Sequence, residues 1–176
     1  MTDSGFSDEA PARDPGSRRA RARGSRLAAA LVTVTVLALA AFGVWAWRAR
    51  AHADDLAAFA SLSSSIAVMD RTLFPLGHAD LAPCRGQTEG LVTRSYPPST
   101  GPQAEEVLGF LLQSGWTLRS PAPAPGDGGA IALPARLART VDGAELTIEV
   151  TGGSSSQLVG SVTGRSPGTA LACLGR

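Results

Sequence analysis

Apolar positions follow three different rhythms along the chain, and each predicts a different kind of element. Leu27 to Trp47 reads LAAALVTVTVLALAAFGVWAW and carries no charge. A helix of that length reaches about 31 Å, close to the roughly 30 Å of a bilayer's hydrocarbon core. The stretch is therefore predicted to be a transmembrane helix. Beyond it, Phe59, Leu62, Ile66, Met69 and Leu73 recur at a 3,4,3,4 spacing, which places them on one stripe of a stalk helix over 48–76. Asp54 and Asp55 suit an N-terminal turn there. The stripe suits a short parallel coiled coil or packing on the protein's own domain. Two heptads are too few for the first reading, so the second is preferred.

From residue 77 the rhythm changes to short alternating runs. Pro75, Gly77 and Pro83 read as the end of the stalk and the start of a loop. Leu91 to Tyr96 predicts a strand stopped by Pro97 and Pro98. Thr100 with Gln103 forms a capping-box pattern ahead of a helix over 102–114, with Val107, Leu108, Leu111 and Leu112 as its buried stripe. Gly115 stands where a left-handed C-terminal cap is expected. Strands are predicted at Trp116–Arg119, Arg136–Val141, Ala144–Val150 and Leu158–Thr163, and Thr169–Cys173 is expected to run back along the core. Asp142-Gly143 between two alternating runs is a signal for a type I′ hairpin. Leu146, Ile148 and Val150 fall on one side of their strand, and Glu145, Thr147 and Glu149 on the other. Residues 77–176 thus predict an α+β domain of two layers, one helix on an antiparallel sheet of four to five strands with one wet face.

Charge sets the expected topology. Residues 1–26 carry six arginines against four acids, and few apolar groups, so they read as a disordered basic tail. The arginine excess before the span predicts a cytoplasmic N-terminus, with Trp45 and Trp47 at the outer interface and the remainder extracytoplasmic. Localisation is then the cell membrane, and the lipid bilayer is the first partner. Ala51-His52-Ala53 offers a signal-peptidase pattern, and cleavage there would release a secreted form. The apolar run is longer than a signal's usual h-region, which favours an uncleaved anchor. From Asp54 onward there are eight arginines against eleven acids. That mild acidity argues against nucleic acid as a partner.

The chain has two cysteines, Cys84 and Cys173. An oxidising compartment favours a disulfide between them, closing a loop of about 89 residues for roughly 4–5 kcal/mol in the chain-entropy model. Free thiols are one alternative. A metal site from His78, Asp80 and Cys84 is another, without the paired spacing of zinc sites. Signals for catalysis are few. His78 is the one histidine after Asp54, and no serine stands in a G-x-S-x-G setting. Glu105 and Glu106 point apart on a helix, and Glu145 and Glu149 lie about 13 Å apart along a strand. Gly126, Gly128 and Gly129 sit in a Pro-rich loop, PAPAPGDGG. No Walker or dinucleotide fingerprint is present, so no cofactor is expected.

A basic tail with one anchor, a cysteine before a strand (Cys84 to Tyr96), a helix ending in Gly115-Trp116, further strands and a late Cys173 form one pattern. In it the chain resembles small single-pass envelope proteins of actinobacteria. The absence of lysine and asparagine, with abundant Ala, Gly and Pro, fits a GC-rich genome. The resemblance supports the α+β reading and transfers no catalytic residue. The function expected is a protein-interaction or accessory component of the envelope, partnered by another envelope protein. A small-ligand or cell-wall binding module is the alternative, and a hydrolase is the third reading. The sequence leaves the oligomeric state open.

Overall fold

The computed structural model describes residues 16–120, 132–155 and 157–174, with side chains from Ala28 onward. The chain divides into two compact units, residues 1–45 and 46–176. Helix α1 runs from Gly16 to Leu73. Within the first unit its apolar side chains stand bare on every side, with Leu31, Val34, Leu39, Phe42 and Trp45 each 65–69% exposed. Thr33 and Thr35 donate their hydroxyls to the carbonyls of Ala29 and Leu31 at 2.9 Å, so neither hydroxyl needs water. Among the described residues this is one helix long and apolar enough to cross a membrane.

The second unit is α+β. Its sheet has six strands, β1 (Gly77–Leu81), β2 (Gly90–Ser95), β3 (Thr117–Ser120), β4 (Ala135–Val141), β5 (Ala144–Gly152) and β6 (Val159–Ser166). They are ordered β1-β2-β6-β5-β4-β3, and every neighbouring pair is antiparallel. Two helices share the buried face: the last turns of α1, and α2 (Ala104–Gln113), which links β2 to β3. A helical turn, α3 (Ala170–Cys173), follows β6. The expected sheet of four to five strands under one helix is therefore a sheet of six under two. The added strand is β1, expected as a loop. Gly77 and Pro83 do bracket it, but the residues between them pair in register with β2 from Gly77↔Ser95 to Leu81↔Leu91.

The stalk stripe packs on the protein's own domain. Leu62, Ile66 and Met69 have no exposed surface and join the core with Val92, Val107, Leu146 and Ile148. Gly164 lets α1 approach: a Cβ there would lie 2.9 Å from the methyl groups of Ile66 and Leu62. Asp54 and Asp55 occupy the middle of α1 and no N-terminal turn, because the helix does not break after Trp47.

Two local motifs follow their sequence signals. Asp142 (φ 51°) and Gly143 (φ 83°) form the two-residue link between Val141 and Ala144, as a type I′ turn requires. Gly115 (φ 84°) ends α2 with its N–H on the Leu112 carbonyl while Trp116 N–H reaches Leu111, the paired bonds of a Schellman cap. The other end of α2 differs from expectation. Its cap is Gln103, with no side-chain cap bond, and Thr100 is outside the helix. Backbone bonds do the work there: Ala104 N–H donates to the Gln157 carbonyl at 2.7 Å and Val159 N–H to Pro102 at 2.9 Å. Leu112 is 41% exposed, and Ala104 takes its place on the buried stripe.

Candidate functional site

Three features of the second unit carry polar chemistry. The first lies where β2 meets α1. Along β2 the inward phase runs Val92, Arg94, Tyr96, so a guanidinium falls on the core side of the sheet. Arg94 is 3% exposed. Its Nε donates to Asp70 Oδ2 at 2.7 Å from α1, and its Nη1 to Asp80 Oδ1 at 2.6 Å from β1. Burial disfavours the Arg94 cation, but the carboxylates of Asp80 and Asp70 offset this and hold its pKa above the ordinary value. Ser63 of α1 adds a long contact to Asp80 at 3.5 Å. Tyr96 is buried beside them, and its hydroxyl has no hydrogen-bond partner among the described residues. Burial first, then the charge of Asp70, pushes its phenol up to about 12. The arrangement clamps the edge strand β1 and the end of α1 to β2.

The second feature joins α1 to the chain's last turn. Cys84 and Cys173 are bonded, with Cα atoms 4.9 Å apart across 89 residues of sequence. Neither cysteine is free. Three successive turns of α1 support the region. Arg48 donates to the Leu174 carbonyl, His52 Nδ1 stands 3.7 Å from Cys84 Sγ, and Asp55 accepts the N–H of Thr169 at 2.7 Å. Asp55 is 7% exposed, and this bond satisfies one oxygen of a carboxylate that burial would otherwise penalise. Asp55 thus caps α3 from another element.

The third feature is the open face of the sheet. A groove of about 350 Å³ runs over it, lined by Arg119, Arg136, Glu145, Glu149 and Arg165 and by the apolar Leu137 and Ile148 among others. Arg119 stands 3.6 Å from Glu145, Arg136 3.6 Å from Glu149, and Arg165 3.5 Å from Glu89. These are alternating, solvent-screened pairs that leave the face polar and near balance.

The residues singled out from the sequence are distributed among these features. Cys84 and Cys173 meet. Cys84 lies against Cys173, not in a cluster with His78 and Asp80. Among the described residues, no group of three or more His, Cys, Asp or Glu side chains could hold a metal ion. His78 is in β1 opposite Arg94, where a loop was expected, and is exposed. Glu105 and Glu106 occupy the first turn of α2, and Glu145 and Glu149 line the open groove with arginine partners. The glycine-rich stretch 126–129 lies outside the described residues. Sequence reasoning gave Arg94, Asp70, Tyr96, His52 and Asp55 no part in a polar site. A signal for the first was present: Arg94 shares its phase with Val92 and Tyr96, and a charge on a buried phase requires partners. No protein-family model, curated protein or solved structure matches the chain.

Proposed function

We propose that the protein is a single-pass membrane protein whose α+β module stands outside the cytoplasm. There it binds another envelope protein through the open face of its sheet, as an accessory component. The observation that carries this reading is the pairing, in one chain, of an uncharged 27–47 span with a module closed by Cys84–Cys173. Disulfides persist in oxidising compartments, and the arginines before the span favour a cytoplasmic N-terminus. The open face supports the second half of the proposal. Its groove, lined by alternating arginines and glutamates, suits the rim-and-register contacts of a protein partner. The reading assigns the module no reaction.

Topology is tested by tagging the C-terminus and treating intact cells with an impermeant protease. Loss of the tag with an N-terminal tag retained is expected, and the reverse pattern overturns the proposal. Docking is tested by placing a photo-crosslinking residue at Thr147 on the open face and, in a second variant, at Leu112 on α2. Crosslinks to one discrete protein from Thr147 alone are expected. Equal labelling from both positions, or none, removes the assignment of the face.

A further inference from the structure

The geometry points to Cys84–Cys173 as a site of thiol–disulfide exchange with a dithiol protein, in which Cys84 is the leaving sulfur and His52 receives its charge. The reading is independent of the docking face and of topology, because it rests on groups within the second unit. Cys84 has φ 67°, a left-handed conformation that side chains other than Gly, Asn and Asp seldom hold. A tight turn fixes it there: Cys84 N–H donates to the Gln87 carbonyl at 3.0 Å and Arg85 N–H to Ala82 at 3.3 Å. Strained backbone of this kind gathers at working sites. Both cysteines are half-buried, so neither sulfur is sealed in the core.

The two sulfurs differ in what surrounds them. Cys84 Sγ faces His52 Nδ1 at 3.7 Å, whereas no comparable side-chain contact is made by Cys173 among the described residues. Among the described residues, Arg48 donates to Leu174, the residue after Cys173, Asp55 is bound to Thr169, and Arg85, the residue after Cys84, is exposed. Exchange proceeds faster through the sulfur that leaves as the better-stabilised thiolate. A dithiol's thiolate therefore attacks Cys173 Sγ. A new S–S bond forms between them, the Cys84–Cys173 bond breaks, and its electron pair departs on Cys84 Sγ. His52 donates an Nδ1–H hydrogen bond to that thiolate, which then takes its proton from water. The dithiol's second sulfur, its proton lost to water, then displaces Cys173 Sγ, which leaves as a thiolate and takes a proton from water. The dithiol ends oxidised by two electrons and the pair ends as Cys84 and Cys173 thiols. Run backwards with the oxidised dithiol, the same steps close the disulfide.

The test uses the full chain in detergent micelles, with dithiothreitol as the dithiol and mass spectrometry of alkylated peptides as the readout. Reduction of wild type is compared with His52→Gln and with His52→Lys, which keeps a cation-forming group on the same turn. His52→Gln is expected to slow reduction roughly three- to tenfold, and His52→Lys to restore the rate. In the reduced protein Cys84 is expected to alkylate about tenfold faster than Cys173 at pH 7, and to lose that lead in His52→Gln. Equal rates in wild type and His52→Gln overturn the proposal. Equal slowing by both substitutions also overturns it, because packing alone would explain that result.

Discussion

β2 and β5 present the same core with different chemistry on their inward phases. β5 offers Leu146, Ile148 and Val150, each at most 1% exposed. β2 offers Val92 and then the Arg94 guanidinium, and the Tyr96 phenol follows just past its end. The β5 half of the sheet is held by area, which is non-directional and forgiving of small shifts. The β2 half is held by direction, because Arg94 is tolerable inside only while Asp70 and Asp80 meet it. The difference is one of failure modes. Damage to the apolar half scales with volume removed, while damage to the polar half depends on which partner is left behind.

The largest expected effect comes from the area-held half. Ile148→Ala should cost about 2–5 kcal/mol of unfolding free energy, read by denaturant titration of the full chain in micelles. A cost below about 1 kcal/mol would mean that β5 is not the centre of the core. In the polar half, Asp70→Leu leaves Arg94 with one carboxylate, and Asp80 is partly exposed and screened. A loss of about 2–3 kcal/mol is expected, smaller than for a sealed pair. Adding Arg94→Leu should recover part of that loss, because no buried guanidinium remains and Asp80, left without its partner, still reaches water. If the double variant is weaker than the sum of the singles, the clamp is not electrostatic.

Tyr96→Phe should change stability by less than about 1 kcal/mol at neutral pH, since the hydroxyl it removes is unpaired. Its effect appears at high pH. The unfolded chain gives up its phenolic proton near the ordinary value of 10, and the folded chain only at about 12. Tyr96 therefore contributes its full stability below the unfolded value and loses it as pH climbs from there through the folded one. The protein has a single tyrosine, so phenolate absorbance at 295 nm reports Tyr96 alone. A midpoint near 10 in the folded chain would remove the burial argument. The smallest effect belongs to the open face: Arg136→Ala breaks an exposed pair at 3.6 Å and should change stability by about 0–1 kcal/mol.

The contrast between the halves also explains what could be read from the sequence. β5 and its hairpin were legible because strict alternation around Asp142-Gly143 leaves one register open. The Schellman cap was legible because Gly115 solves a local backbone problem. β1 was hidden because five residues, GHADL, between Gly77 and Pro83 carry no apolar alternation; their pairing comes from β2 and not from themselves. The start of α2 was misjudged at Thr100 because the segment at 157–159, more than fifty residues away, supplies the bonds that a capping hydroxyl would have made. The polar clamp and the Arg48, His52, Asp55 row needed contacts between α1 and segments later in the chain, which no local pattern records. The cysteines alone announced a long-range tie, since there were only two to join.

The position of β6 has a consequence for how the protein is made. The last strand of the chain lies in the middle of the sheet, paired on one side with β2 and on the other with β5. A nascent chain ending before Val159 holds a hairpin and a three-stranded meander with no hydrogen-bonded link between them, so each shows a raw edge. Assembly must wait until nearly the whole polypeptide has emerged, and its rate is governed by closing a loop between strands far apart in sequence. Once that keystone is in place, the sheet's two halves cannot part without expelling their shared neighbour.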